Sequence, residues 1–431
     1  MNEQIEYASL TDVGIRRSHN QDAHSAQPAR DDNQWQTQGH VFVVADGMGA
    51  HAVGELASEL AAEIIPLAYQ KYAAEGAESA LDKAFHEANA SIHARGQQNR
   101  EFQGMGTTST ALVLRPDGAW VGHVGDSRAY RVREGHIEQL SFDHSLLWEL
   151  AKRQGVQPES VQGVPANVLV RSMGPEGNVK PDVEGPHPIR VGDIYVMCSD
   201  GLSGLVTDTE IGAVVSLLAP KEACRLLVDL ANLRGGPDNI TVIVVHSKMD
   251  IEPPNEAENQ EPPEPWYWRL PWPQASLAVG GLLAVAAIIL LIQKMSGGAL
   301  CFVLAFVFFL IGIAGIVAFY IRERNRPEPK KKKKRRAKPR VHRKLPCTVD
   351  QELLDRLLKA ENAVETLLRD RQWEANWELF AQHQQQAEGY LIQEDLSGAY
   401  REYCLALRPL VETLEKHRQK SEAFQPNWDK K

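Results

Sequence analysis

Val41-Phe42-Val43-Val44-Ala45-Asp46-Gly47 sets five apolar residues in a row against an aspartate and a glycine. A short run rich in β-branched side chains and closed by a turn pair reads as a buried strand. The carboxylate at its end does nothing for stability, because an acid beside a buried apolar run loses hydration. Three more strand-like runs carry the same feature: Asp126 follows residues 120–125, Asp200 follows residues 194–199, and Asp238 stands just before Ile240-Thr241-Val242-Ile243-Val244-Val245. Asp-Gly turns are common after strands, and Asp46-Gly47 or Asp200-Gly201 taken singly has that explanation. Four such ends between positions 46 and 238 point instead to hard oxygen ligands gathered at one sheet rim, where divalent cations relieve their repulsion. A multi-metal hydrolytic site is the expectation.

Between these runs, Leu56-Ala57-Leu60-Ala61-Ile64-Ile65 and residues 84–92 place apolar side chains at helical spacing. Helices interleaved with antiparallel strands give an α+β fold, an antiparallel β-sandwich flanked by helices. Residues 1–250 are long enough for one large core. They carry 33 Asp and Glu against 20 Lys and Arg, a local charge of −13 compared with −9 for the whole chain. Such a surface disfavours nucleic acid as a partner, because the phosphates would be repelled.

The order of short motifs is informative in itself. Asp12-Val13-Gly14-Ile15-Arg16-Arg17-Ser18-His19-Asn20-Gln21-Asp22 comes first, then Asp46-Gly47-Met48-Gly49-Ala50-His51 with Gly54-Glu55, then Gly104-Met105-Gly106-Thr107-Thr108. Val124-Gly125-Asp126-Ser127-Arg128-Ala129-Tyr130, Asp143-His144-Ser145, Arg171-Ser172-Met173-Gly174, Cys198-Ser199-Asp200-Gly201-Leu202 and Asp238-Asn239-Ile240-Thr241 follow. Over residues 5–247 this series resembles the metal-dependent protein phosphatases, the type 2C serine/threonine enzymes, in their bacterial form.

The resemblance implies a binuclear site for Mg2+ or Mn2+, the two ions ~3.5–4 Å apart, that activates a water against a phosphate monoester. Asp46 would bridge the ions, Asp200 and Asp238 would complete one site, and the Gly47 carbonyl would serve the other. Asp22 matches an acid acting on the second ion through a water. Asp126 matches one that binds a third, looser ion together with Asp200, although a turn aspartate capping an amide would look the same. Arg17 resembles the phosphate-holding arginine, suited to it by its planar fork of donors. His51 is a candidate proton donor to the leaving oxygen, or a solvent-facing residue opening a helix. Residues between Asp143 and Ser172 correspond to the family's substrate-choosing flap. Val164-Pro165-Ala166-Asn167 lacks the basic residue often found there, which leaves substrate preference open.

Past Asp250 the composition changes. Residues 251–265 hold five prolines and five glutamates with no basic residue, and the region 251–274 reads as an extended acidic linker. Trp266-Tyr267-Trp268-Arg269-Leu270-Pro271-Trp272 precedes two uncharged apolar runs, 275–292 and 299–321. Each is long enough for a bilayer, and the aromatics suit its interface. A transmembrane hairpin over 275–321 is expected. Its tip holds one lysine, whereas residues 330–336, 338 and 340 are basic apart from the prolines and alanine around them, so both ends should be cytoplasmic. The first residues contain no apolar signal segment.

The basic stretch, in a segment 322–347 expected to be unfolded, reads as a topology determinant gripping anionic headgroups, with nuclear localisation or nucleic-acid binding the lesser alternatives. Residues 348–431 repeat Leu353-Leu354, Leu357-Leu358, Val364 and Leu367-Leu368, then Trp373, Trp377 and Phe380, then Ala399, Tyr403 and Leu410 at helical spacing. Three helices follow from that pattern, Pro409 bending or restarting the last, in a small bundle or a partner-binding repeat. Cys198, Cys224, Cys301, Cys347 and Cys404 are scattered and read as reduced thiols.

The combined expectation is a membrane-anchored phosphatase acting on phosphorylated serine and threonine in proteins, opposing a serine/threonine kinase at the plasma membrane. The competing class is a membrane-anchored scaffold that recognises phosphorylated partners without cleaving them.

Overall fold

The computed structural model describes residues 4–49, 52–165, 167–252, 272–294, 297–324 and 339–423. They fall into two compact units, one drawn from residues 1–253 and 339–431 and the other from 254–338.

In the larger unit, one antiparallel sheet has the order β1 (Ile5–Asp12), β11 (Ile240–Ser247), β10 (Ile194–Cys198), β7 (Arg128–Arg133), β8 (His136–Gln139), β12 (Arg343–Pro346). The second runs β2 (Asp22–Gln27), β3 (His40–Met48), β5 (Ser109–Arg115), β6 (Gly118–Val124), β9 (Asp182–His187), with the two-residue β4 (Gly106–Thr107) paired to β3. Along β3, Phe42 and Val44 enter the core between the sheets, while Val41, Val43 and Ala45 face the outer core made with α2 (Ala52–Tyr72) and α3 (Ala77–Gln97). That is why this strand shows no polar alternation: both of its faces are covered. β11 does the same on the other side, Ile243 and Val245 pointing between the sheets and Val242 and Val244 toward the core shared with α6 (Asp208–Leu217) and α7 (Pro220–Leu233). The result is a helix–sheet–sheet–helix sandwich of the expected α+β class. Shorter helices α1 (Asp32–Thr37), α4 (Leu146–Gln154) and α5 (Asp200–Ser203) lie in its connections.

The second unit contains α8 (Trp272–Ile292) and α9 (Gly298–Arg324). Their stretches Gln274–Ile292 and Gly298–Ala318 have mean hydropathies of 2.7 and 3.0, and only 11% and 17% of each is buried. Both are long and apolar enough to cross a membrane. The two helices approach closely at Gly280, where a Cβ would come within 3.0 Å of the Phe309 ring. Of the linker expected over 251–274, residues 253–271 lie outside the described residues, as do the basic residues 325–338, and residues 272–274 already belong to α8.

Two expectations about the chain beyond 322 need correction. Part of the segment expected to be unfolded is strand β12, which pairs with β8 from Arg343↔Gln139 to Pro346↔His136 and extends the first sheet. The helices α10 (Gln351–Asp370), α11 (Trp377–Ile392) and α12 (Leu396–Ala423) form no separate third region; Leu354, Leu357, Tyr400, Leu407 and Leu410 share one core with α6 and α7. The contact is close at Gly212 of α6, where a Cβ would meet the Cys347 Sγ at 2.8 Å. Leucine spacing reveals that a helix has an apolar face but not which element covers it, and β12 has too few residues to signal a strand by pattern. Pro409 neither ends nor restarts the last helix, which runs on through it.

Inside the helical part, Glu361 is 1% exposed; its Oε1 accepts from Gln384 Nε2 at 2.7 Å, and its Oε2 is buried without a partner. Burial pushes its carboxyl up from 4.5 to about 7, against the Gln384 hydrogen bond and with a smaller contribution from Glu365. Between those values the folded chain keeps a proton that the unfolded chain releases, so stability falls as pH rises through this window and stays low above it. Glu361→Gln should therefore raise stability by roughly 2–3 kcal/mol at pH 8 and hardly change it at pH 4. Thermal melts at the two pH values check this, and a variant retaining the wild-type pH slope would refute it.

Candidate metal centre

The acids predicted from sequence meet where the two sheets end together. Asp22 opens β2 and is the direct cross-strand partner of Asp46 on β3. On the other sheet, Asp200 follows the end of β10 and Asp238 precedes the start of β11, its antiparallel neighbour. Gly201 permits this approach, since a Cβ there would lie 2.0 Å from the Asn239 carbonyl oxygen. Ser199 joins the sheets: its Oγ donates to Asp22 Oδ2 at 2.7 Å and accepts from the Thr241 amide at 3.0 Å. Asp126 enters from the β6–β7 turn, held from behind by His144, whose Nδ1 accepts from the Gly125 amide at 3.0 Å.

The electrostatics register the crowding. Burial, then Asp22, Asp200, Asp126 and Asp238, push the Asp46 carboxyl well above the usual carboxylate range. Burial lifts Asp22 to about 7, with Ser199 and Thr241 opposing and Asp200 and Asp238 adding. Asp126 rises to about 8 through burial, then Asp200 and Asp143. Asp200 is raised by burial and Asp238 and relieved by a hydrogen bond from Asp46. Asp46 and Asp200 are thus within hydrogen-bonding reach of each other.

Such a set suits divalent cations. Asp22 Oδ1 is buried with no hydrogen-bond partner, and the neighbouring acids ionise only against each other's repulsion, which a cation would reverse. Oxygen donors alone favour Mg2+ or Mn2+ over Zn2+. Among the described residues no three His, Cys, Asp or Glu side chains converge on one point as ligands. Asp238 is turned to Arg17, at 2.7 Å, and Asp22 to Ser199, so the acids are gathered without forming a closed coordination shell.

The remaining expected residues are placed as follows. Arg17, 46% exposed, stands at the rim with its guanidinium on Asp238. Gly47 is buried in β3, where a Cβ would come within 2.1 Å of the Gly54 carbonyl oxygen, so a side chain is excluded. His51 and Ala50 lie outside the described residues. Cys198 is ruled out as a nucleophile, its thiol pushed up to about 12 by burial. A cleft of about 250 Å³ opens beside the acids, its lining including Asp126, Asp200 and Asp238 together with Arg128, Trp148 and Asn167.

Sequence reasoning missed two positioning residues. Asn239 accepts from the Gln21 amide at 2.8 Å and donates to the carbonyls of Val13 and His19, both at 2.9 Å, which pins the loop carrying Arg17 to the Asp238 turn. His144 reaches Asp182 Oδ2 with Nε2 at 3.1 Å. Both belong to motifs read from the sequence. Only their partners, far away in the chain, assign them this task.

The family model for protein phosphatase 2C matches residues 15–149. The serine/threonine phosphatase Stp of Listeria monocytogenes is 34% identical over 245 residues, covering 56% of this chain and 94% of that protein. The serine/threonine protein phosphatase PstP of Mycobacterium tuberculosis is 33% identical over 242 residues, which cover 56% of this chain and 44% of PstP. A crystal structure of the PstP catalytic domain in complex with two manganese ions has a TM-score of 0.47 at 31% identity, over 56% of this chain and 98% of that one. The chain belongs to the protein phosphatase 2C family of serine/threonine phosphatases.

Proposed function

We propose that this protein is a membrane-anchored phosphatase that hydrolyses phosphoserine and phosphothreonine in proteins, opposing a serine/threonine kinase. The observation that carries the reading is the placing of Asp22, Asp46, Asp126, Asp200 and Asp238 near one another at one rim, each of the first four held above its ordinary range. Asp46, Asp200 and Asp238 would hold one divalent ion, Asp46 with the Gly47 carbonyl and Asp22 the second, and Asp126 with Asp200 a third. Bound Mg2+ or Mn2+ supplies charge neutralisation for the phosphoryl oxygens and a water acidic enough to attack at neutral pH. Arg17 would hold the phosphate by two parallel hydrogen bonds and leave Asp238 to do so. His51 is assigned the leaving-group proton.

Anchoring is supported by the two apolar helices, whose side chains are largely uncovered. Both ends would be cytoplasmic, given Lys294 alone between the helices and the basic run from 330 to 340 after them. Detergent-solubilised full-length protein should release phosphate from a phosphothreonine peptide with Mn2+ or Mg2+ and none with chelator, and before solubilisation the protein should stay in the membrane fraction through an alkaline wash. Metal-loaded protein that turns over neither peptide nor aryl phosphate would leave the scaffold reading in its place.

A further inference from the structure

Strand β12, the first described element after the apolar helices in sequence, contacts the segment that joins two cleft-lining residues, Trp148 and Asn167. Arg343 Nη2 pairs with Glu159 Oε1 at 2.7 Å, in the segment between Trp148 of α4 and Asn167, both of which line the cleft. Its Nη1 lies 3.3 Å from Asp208 Oδ2. Asp208 is 6% exposed and accepts from Tyr130 Oη at 2.9 Å; its Oδ1 is 3.4 Å from Arg128 Nη1. Arg128 in turn grips Asp143, which also accepts from Gln139 at 2.6 Å, and Gln139 is the residue opposite Arg343 in the β8–β12 pairing. One residue earlier, the His342 ring is 5.5 Å from that of Phe142, which meets Trp148 edge-on at 5.4 Å.

We propose that Arg343 is a positioning residue for substrate: it ties the segment between Trp148 and Asn167 to the Asp208–Arg128–Asp143 chain beside Asp126, and so sets how a phosphoprotein chain fits over the acids. This rests on the phosphatase reading above and adds a determinant from outside the matched region. The bland alternative is a surface ion pair. Glu159 is 59% exposed, and such pairs contribute little to stability. Arg343 differs from a surface pair in having a second, buried partner, Asp208, which is linked to the cleft-lining Arg128, and in having His342 reach Trp148 through Phe142 by a second route.

The test uses full-length protein in detergent with Mn2+, the variants R343A, R343K, E159A and R343A/E159A, and two substrates, a phosphothreonine peptide and a small aryl phosphate. R343A and E159A should each raise KM for the peptide about tenfold, leaving kcat for the aryl phosphate and the Mn2+ activation midpoint unchanged. The double variant should be no worse than R343A, and R343K should recover part of the loss. An unmoved peptide KM, or a parallel loss on both substrates that tracks the melting temperature, overturns the positioning role. Wild-type protein inactive on both substrates would instead overturn the phosphatase reading itself, and the proposal with it.

Discussion

Asp46→Asn is expected to lower kcat/KM for any phosphate monoester by about a thousandfold or more while leaving the fold in place. The substitution keeps the side-chain volume and removes the charge nearest the other acids. Backbone placement does not depend on that charge: the Asp46 amide donates to Thr108 Oγ1 at 3.0 Å, and its carbonyl accepts from the Thr108 amide at 2.8 Å and from Thr107 Oγ1 at 2.9 Å. Removing one of several crowded carboxylates also relieves repulsion, so the melting temperature in chelator should hold or rise. Asp200→Asn should behave alike, since Asp200 meets Asp46 from the opposite sheet. Aryl phosphate turnover with Mn2+ together with a thermal melt decides the point. Activity within tenfold of wild type would remove the metal mechanism; a lost melt would show the residue to be structural.

Cutting the chain after residue 253 is the second change with a large expected effect. It uncovers the outer faces of α6 and α7 from Leu354, Leu357, Tyr400, Leu407 and Leu410, all buried in the shared core. Each buried side chain of this size represents ~1.5–3 kcal/mol of burial, against a net stability of only ~5–15 kcal/mol for a typical domain. Charged groups lose partners as well: Glu138 loses Lys344, Asp208 loses Arg343, and Arg225 loses Glu415. β8 also becomes a sheet edge, a template for pairing with other chains. The fragment should melt more than ~10 °C lower than the full chain, or self-associate. Deleting only residues 254–338 and joining 253 to 339 by a flexible linker should give a soluble protein with the full-length melt. Equal melting of fragment and linker variant would show the helical part to be dispensable.

How much of this was legible beforehand depends on the range of each signal. Asp46-Gly47, Asp200-Gly201 and Asp238-Asn239 are local: an apolar run, an acid and a turn residue are adjacent in the chain, so their meaning survives without coordinates. The continuous apolar character of β3 and β11 likewise announced strands covered on both faces. Asn239 was visible as a motif member, yet its work depends on Gln21, Val13 and His19, more than two hundred residues away in the chain. The pairing of Arg343 with Glu159 and Asp208 had no local signal.

What the chain determined by itself was the set of acids, the strands that carry them and the presence of two long apolar helices, because each is a property of a few consecutive side chains. Only the tertiary structure decided that β12 and the last three helices join one compact unit with the two sheets and that Arg343 pairs with both Glu159 and Asp208. Those are pairings between distant segments, chosen by complementary shape and charge, and the amphipathic helices and short strand involved would have been satisfied by other partners just as well.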